Sequence, residues 1–220
     1  MAGTARRPVA GSTVRGTFDM WATNGRAEKM ELEHSRAVAA RLASEDLSSP
    51  FRFLDVGCGN GWLVRRMAAL PACRAAVGID LSPGMVREAR RLARLAKERY
   101  DAAPVESWAY RGRFDLVFSM EALYYADSVD AALAAIARRM APGARLICGT
   151  DFYAENRATR WWAREMGITM HLLSRAEWAA AFRRAGLRAR TRTVRDATSS
   201  KRWRREAGTL FVTGTAPPER

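Results

Sequence analysis

One decapeptide constrains the fold more than any other feature: Phe53-Leu54-Asp55-Val56-Gly57-Cys58-Gly59-Asn60-Gly61-Trp62. It begins as a short buried strand, Phe53 to Val56, then places three glycines in five positions. A helical pattern follows, with Leu63, Val64, Met67 and Leu70 on one face and Pro71 at its end. Glycines in such a turn let the backbone approach a ligand closely. Two phosphate-binding forms of the turn fail here. A P-loop closes with Gly-Lys-Ser/Thr, whereas Gly61 is followed by Trp62 and Leu63. A dinucleotide turn reads GxGxxG, and Trp62 stands where its third glycine belongs.

The strand–helix alternation continues along the chain. AAVGID, 75–80, is a second strand. Ser82 and Pro83 open a helix, as cap and first position, that is expected to run to about Ala96. A poor strand is placed near 98–103 and a buried one at FDLVFSM, 114–120. Ser128 caps a helix in which Val129, Leu133, Ile136 and Met140 recur, with Pro142-Gly143 as its terminator. ARLICGTDF, 144–152, is another strand. Ser174 to Glu177 reads as a capping box before a helix with Trp178, Phe182 and Ala185 inward, stopped by Gly186. Two late strands lie near 188–194 and 209–214. This order predicts an α/β fold: an open, mostly parallel, doubly wound sheet in three αβα layers, with an antiparallel edge. At 220 residues one domain is expected, 18–216, after a flexible lead-in 1–17. Segment 18–47 forms a helical cap and 154–173 an insertion suited to a substrate lid.

Asp55 stands two residues ahead of the glycines, and no basic side chain lies in the turn. That suits a ligand with positive charge near the turn, since an ammonium wants a carboxylate and carbonyls. S-adenosylmethionine has such a group, a cationic sulfonium and no phosphate. Asp80, which ends the second strand, can accept both ribose hydroxyls of an adenosine.

Three stretches in order, LDVGCGNG (54–61), VGIDLSPGMVREAR (77–90) and FDLVFSMEALYYADSVDAALAAIARRMAPGARL (114–146), resemble the class I S-adenosylmethionine-dependent methyltransferases, which share a Rossmann-like fold. The resemblance covers about Arg52 to Thr150. It implies that Asp55, Gly57, Gly59 and Gly61 cradle the methionine moiety, with Cys58 a small filler in the loop. It implies Asp80 on the ribose, Leu81 and Met85 near the adenine, and Met120 and Glu121 beside the methionine end and the acceptor. Asp19 to Trp21 would cap the cofactor. The acid this family often uses for the adenine amino group falls near Pro104, so Glu106 or Asp101 stands in for it.

Methyl transfer is an in-line displacement, so the protein mainly positions the acceptor; a base is needed only for a weakly acidic acceptor. Glu121, Tyr125, Asp151 and His171 are the candidates for acceptor binding or proton removal. Trp161 and Trp162, in the Arg- and Trp-rich insertion, read as core packing or as a substrate wall. Three cysteines, Cys58, Cys73 and Cys148, form no CxxC pair, and His34 and His171 are the two histidines, so no metal site is expected. Free thiols, no apolar signal core and no long apolar run fit a cytoplasmic protein without a membrane anchor. The net charge is +14, nearly all arginine, as a GC-rich genome would give. The functional expectation is methyl transfer to oxygen or nitrogen of a small molecule. The alternatives are an RNA or ribosomal methyltransferase, using the late arginines, and a non-catalytic S-adenosylmethionine-binding protein. Ser119-Met120-Glu121-Ala122 replaces the Asn/Asp-Pro-Pro-Tyr of enzymes that methylate nucleic-acid amines. Oligomeric state is not legible.

Overall fold

The computed structural model describes residues 13–219. Two helices come first, α1 Val14–Trp21 and α2 Arg26–Leu42. Then follow β1 Phe51–Val56, α3 Trp62–Ala68, β2 Cys73–Asp80, α4 Pro83–Leu92, β3 Glu98–Ala102 and β4 Phe114–Met120. A 3-10 turn, Leu123–Tyr125, leads to α5 Val129–Ala137 and β5 Met140–Thr150. The chain ends with α6 Trp162–Met166, α7 Arg175–Arg184, β6 Arg188–Val194, α8 Arg202–Glu206 and β7 Thr209–Thr215. The sheet runs β3-β2-β1-β4-β5-β7-β6. Pairing is parallel from β3 to β5, and β7 is antiparallel to both β5 and β6. The antiparallel element is thus β7, inserted beside the edge strand.

Alternating strand residues supply the two cores. Leu54, Val56, Val77, Ile79 and Val117 meet α5 and α7 through Leu133, Ile136, Trp178 and Phe182. Phe53, Ala76, Leu116 and Phe118 face α2, α3 and α4 through Val38, Val64, Met67 and Val86. The carboxyl ends of β1, β2, β4 and β5 open on one edge, where strand order reverses between β1 and β4. A ligand crevice belongs there.

Several expected boundaries move. Helix starts at Val14, with Thr13 Oγ1 accepting from Gly16 N at 3.0 Å, so 14–17 is not lead-in; positions 1–12 of that lead-in lie outside the described residues. Segment 18–47 is two helices broken at Gly25, whose φ of 77° no helix accommodates. Helix α4 stops at Leu92 rather than Ala96 because Glu98 Oε1 accepts from the amides of Arg94 and Leu95, at 3.1 and 2.9 Å. Met140 opens β5 instead of closing α5. Pro142 and Gly143 sit in the irregular start of that strand, where the register with β4 shifts between Phe114 and Leu116. No helix among the described residues is long and apolar enough to cross a membrane.

Candidate active site

The glycine turn is fixed from both sides. Gly57 N and Cys58 N donate to Ile79 O at 2.8 and 3.0 Å, tying the turn to β2. Gly57 packs so closely on the segment after β4 that a Cβ there would lie 2.2 Å from Ala122 Cβ. Gly61 instead serves packing: its Cβ would lie 2.5 Å from the Tyr100 ring, and it does not line the crevice. The amides of Gly59 and Ser82 donate to the two oxygens of Asp80, both at 2.9 Å. Each oxygen keeps a lone pair for a further donor.

The crevice above this turn is a cavity of about 230 Å³. Asp55, Gly57, Cys58, Gly59, Asp80, Leu81 and Met85 are among its lining residues, as are Trp21, Glu106, Met120, Glu121 and Tyr125. Asp55 is buried, and burial, then the nearby Asp80, push its carboxyl up to about 8. Burial drives the Cys58 thiol well above its ordinary value, so it stays a neutral filler. Asp101 is engaged elsewhere, its Oδ2 accepting from Trp108 Nε1 and Arg99 Nε at 2.9 Å. Of the two acids considered for the adenine position, Glu106 is the one on the crevice wall.

Glu121 closes the far end. Its φ of 53° is left-handed, unusual for a side-chain-bearing residue and costly. Three contacts hold it there. Its amide donates to Gly149 O at 3.0 Å, Oε2 accepts from Tyr124 OH at 2.6 Å, and Oε1 accepts from Asp151 N. Burial, then the charge of Asp151, push its carboxyl up to about 7.

Behind Glu121 lies a buried polar cluster. Asp151 accepts from Thr209 Oγ1 at 2.6 Å and from Arg204 Nη2 at 3.0 Å, with His34 Nε2 at 3.3 Å. His34 Nδ1 donates to Met30 O at 2.8 Å, which leaves Nε2 facing Arg204 and Asp151. Burial opposes both charges. Nevertheless, the His34–Asp151 contact raises the imidazole pKa and, with Arg204, holds the carboxyl low. His34, Glu121 and Asp151 stand close enough to share a metal ion. The Arg204 guanidinium, 3.0 Å from both His34 Nε2 and Asp151 Oδ2, already takes the cation's place there.

Two acceptor-site expectations need correction. Asp151 is wholly buried and does not line the crevice; it holds Glu121 and the cluster in place. His171 is also absent from the lining. Its Nε2 contacts Ala126 O at 2.9 Å and its amide donates to Tyr124 O at 2.8 Å, so it braces the turn that carries the tyrosines. Tyr125 faces the crevice while Tyr124 packs on Phe152.

The N-terminal helices also wall the crevice. Phe18 meets Trp21 and Tyr125 edge-on, at 5.0 and 5.1 Å between centroids. Asp19 Oδ1 accepts from Ser82 Oγ and Gly84 N, at 2.6 and 2.7 Å, which clamps α1 onto the start of α4. Ala27, Met30 and His34 also line the crevice; their three- and four-residue spacing on one helix face is the signal that sequence reasoning left unused. Segment 154–173 contributes no lining residue. Trp162 stacks on Phe152 at 6.3 Å, Trp161 is half exposed, and Met166 touches Tyr125 OH through sulfur at 3.8 Å.

With this geometry, likeness to known proteins can be weighed. A family model described as "Methyltransferase domain" matches residues 26–191. Trans-aconitate 2-methyltransferase of Methylobacterium nodulans is 36% identical over 111 residues, 50% of this chain and 42% of that protein. A ubiquinone biosynthesis O-methyltransferase of Xanthomonas oryzae pv. oryzae is 39% identical over 117 residues, 51% of this chain and 46% of that protein. The chain thus spans somewhat less than half the length of these curated relatives. Among solved structures, one is the complex between the Haloferax volcanii Trm112 methyltransferase activator and a candidate methyltransferase. A chain of it superposes with TM-score 0.86 at 29% identity, covering 93% of this chain and 100% of that one. Family match, sheet order and the crevice at the carboxyl ends of β1 and β4 agree: this chain belongs to the class I S-adenosylmethionine-dependent methyltransferases.

Proposed function

We propose that the chain transfers the methyl group of S-adenosylmethionine to a small organic acceptor. One observation carries this reading: a buried, unpaired carboxylate (Asp55) and a ribose-type acid (Asp80) face one crevice across a turn free of lysine and arginine. The donor set fits the cofactor. Asp55 meets the ammonium, Asp80 the ribose hydroxyls, Glu106 the adenine amino group, and Leu81 and Met85 the adenine faces. When bound, the cofactor supplies a sulfonium-activated methyl group. The chain's own residues then position the acceptor. Phe18, Trp21 and Tyr125 exclude water from one side, and Glu121 offers a lone pair for an acceptor proton. The names of the relatives, a trans-aconitate methyltransferase and a ubiquinone biosynthesis O-methyltransferase, point to small-molecule chemistry, which supports this acceptor class over RNA.

Asp80→Ala is expected to weaken S-adenosylmethionine binding by about 1.5–3 kcal/mol, the worth of hydrogen bonds to a charged group. Titration calorimetry checks it, and unchanged affinity would remove Asp80 from the ribose. Asp55 gives a second signature. With its carboxyl at about 8 when no cation faces it, it is mostly protonated at pH 7 and ionises when a cation arrives. Binding at pH 7 should therefore release up to about one proton from this site, seen as a heat that varies with buffer ionisation enthalpy. Asp55→Asn should abolish that part of the release; the same buffer dependence in the variant would rule Asp55 out. Labelled-methyl transfer into fractionated cell extract tests the activity itself. Tight binding with no label in small molecules, RNA or protein would make the chain a binding protein.

A further inference from the structure

The crevice has the opposite charge character from the chain around it. The protein carries 37 lysines and arginines, yet among the described residues none lines this cavity. Its lining carboxyl groups are Asp55, Asp80, Glu106, Glu121 and Asp127, with His34 the sole basic side chain among the lining residues. A carboxylate or phosphate acceptor would find no guanidinium or ammonium on the lining itself, since the Arg26 guanidinium lies outside it, over the Trp21 ring at 4.2 Å, and would be repelled by the lining acids. Three of the acids are taken by the cofactor on the reading above. Glu121, at the buried end, and the exposed Asp127, at the mouth, remain for the acceptor.

Around Glu121 the walls are aromatic. Tyr124 OH bonds Glu121 Oε2 at 2.6 Å and lies 3.5 Å from Tyr125 OH, whose ring meets Phe18 edge-on. Both oxygens of Glu121 already accept from donors, Tyr124 OH and Asp151 N, which favours the ionised carboxylate. Its remaining lone pairs call for more donors. An anion flanked by aromatic rings is a receptor for an ammonium group, through charged hydrogen bonds and cation–π attraction.

Resting on the methyltransferase reading, we propose that the acceptor is an amine on an apolar or aromatic skeleton, bound as its ammonium form between Glu121 and the Phe18–Tyr125 wall. The ammonium gives one N–H proton to the Glu121 carboxylate, which frees the nitrogen lone pair. That pair forms the N–CH3 bond as the C–S bond breaks, and the electrons of the broken bond stay on sulfur. Burial lowers the ammonium pKa and raises that of the carboxyl, so the proton transfer is less uphill than in water. The product leaves as a methylammonium, and Glu121 returns its proton to solvent.

The test uses three probes of one skeleton that differ in charge: phenethylamine, 2-phenylethanol and phenylacetate. Each is titrated into full-length protein loaded with S-adenosylhomocysteine, so that no turnover intervenes. The amine should bind about tenfold more tightly than the alcohol, the increment of one charged hydrogen bond. The carboxylate should bind weakest, and Glu121→Gln should remove the amine's advantage. Equal or tighter binding of phenylacetate, or an amine preference that survives Glu121→Gln, overturns the proposal. For an acceptor whose skeleton differs from these probes, labelled-methyl transfer into a metabolite extract decides. Labelled product retained on a cation exchanger supports an amine, whereas label confined to anionic or neutral fractions, or no labelled amine at all, overturns it. The loading step separates the two readings: failure to bind S-adenosylhomocysteine sinks the methyltransferase assignment, while loading followed by anion preference sinks the amine alone.

Discussion

Arg204→Leu should unfold at markedly lower urea concentration than the parent, losing about 3–5 kcal/mol of stability, as when a buried ion pair loses one partner. The guanidinium is nearly enclosed and bonds Asp151 Oδ2, faces His34 Nε2 and donates to Glu33 O at 2.7 Å. It links α8, α2 and the end of β5, three elements distant in sequence. Leucine fills much of the volume but leaves Asp151 buried with His34 and Thr209 alone. The pH dependence should shift as well. Burial pushes the Asp151 carboxyl up, but its contacts with His34 and Arg204 outweigh that and hold it below the ordinary value. A group depressed in the folded state stabilises above its unfolded pKa, and that stability is lost as pH falls through the folded one. Without Arg204 the depression shrinks, so acid unfolding should begin at higher pH. Combining Arg204→Leu with Asp151→Asn should cost less than the sum of the single changes, because the stranded charge is gone. A loss below about 1 kcal/mol in the single variant, the range of an exposed pair, would show that Arg204 is solvated instead.

That cluster marks where the sequence ceased to be readable. The glycine turn, Asp80 and the strand–helix alternation are local: each needs only neighbours along the chain, and each could be placed before any coordinates. Glu106 could be preferred to Asp101 only once Trp108 and Arg99 were seen to occupy the latter. His34 and Arg204 are separated by 170 positions, and nothing in either neighbourhood announces the other. Asp151 and His171 were sound residue types near a strand end and a loop. The burial of Asp151 and the backbone partners of the half-buried His171, not their identity, remove them from the crevice. The Trp- and Arg-rich stretch 155–173 looked like a wall for substrate. Its Trp162 packs on Phe152 and Trp203, and residues of α1 and α2 line the crevice instead.

Glu121→Gln is expected to slow labelled-methyl transfer by about 10²–10⁴, the usual span for loss of a positioned general base, while S-adenosylmethionine still binds. The amide keeps the shape and can still accept a bond from Asp151 N, but it cannot take a proton. A change in packing alone would act differently, lowering cofactor affinity and thermal stability together with rate. The pH profile separates the two cases. Glu121 must be ionised to act, and burial, then Asp151, push its carboxyl up to about 7. Cationic cofactor and acceptor favour the charged form, so the parent's rate should fall on acidification with a midpoint at or below about 7. Below that midpoint it should drop about tenfold per pH unit, since the active fraction tracks the ionised carboxylate. Glutamine removes the ionisation, so the variant should lose the limb with its midpoint at or below about 7, and its residual rate should instead follow the free-amine fraction of the acceptor. Glu121→Asp, which keeps a carboxylate on a shorter arm, should restore the limb and part of the rate. A glutamine variant with the parental pH profile would move the proton acceptor elsewhere and leave Glu121 to hold the left-handed backbone at the end of β4.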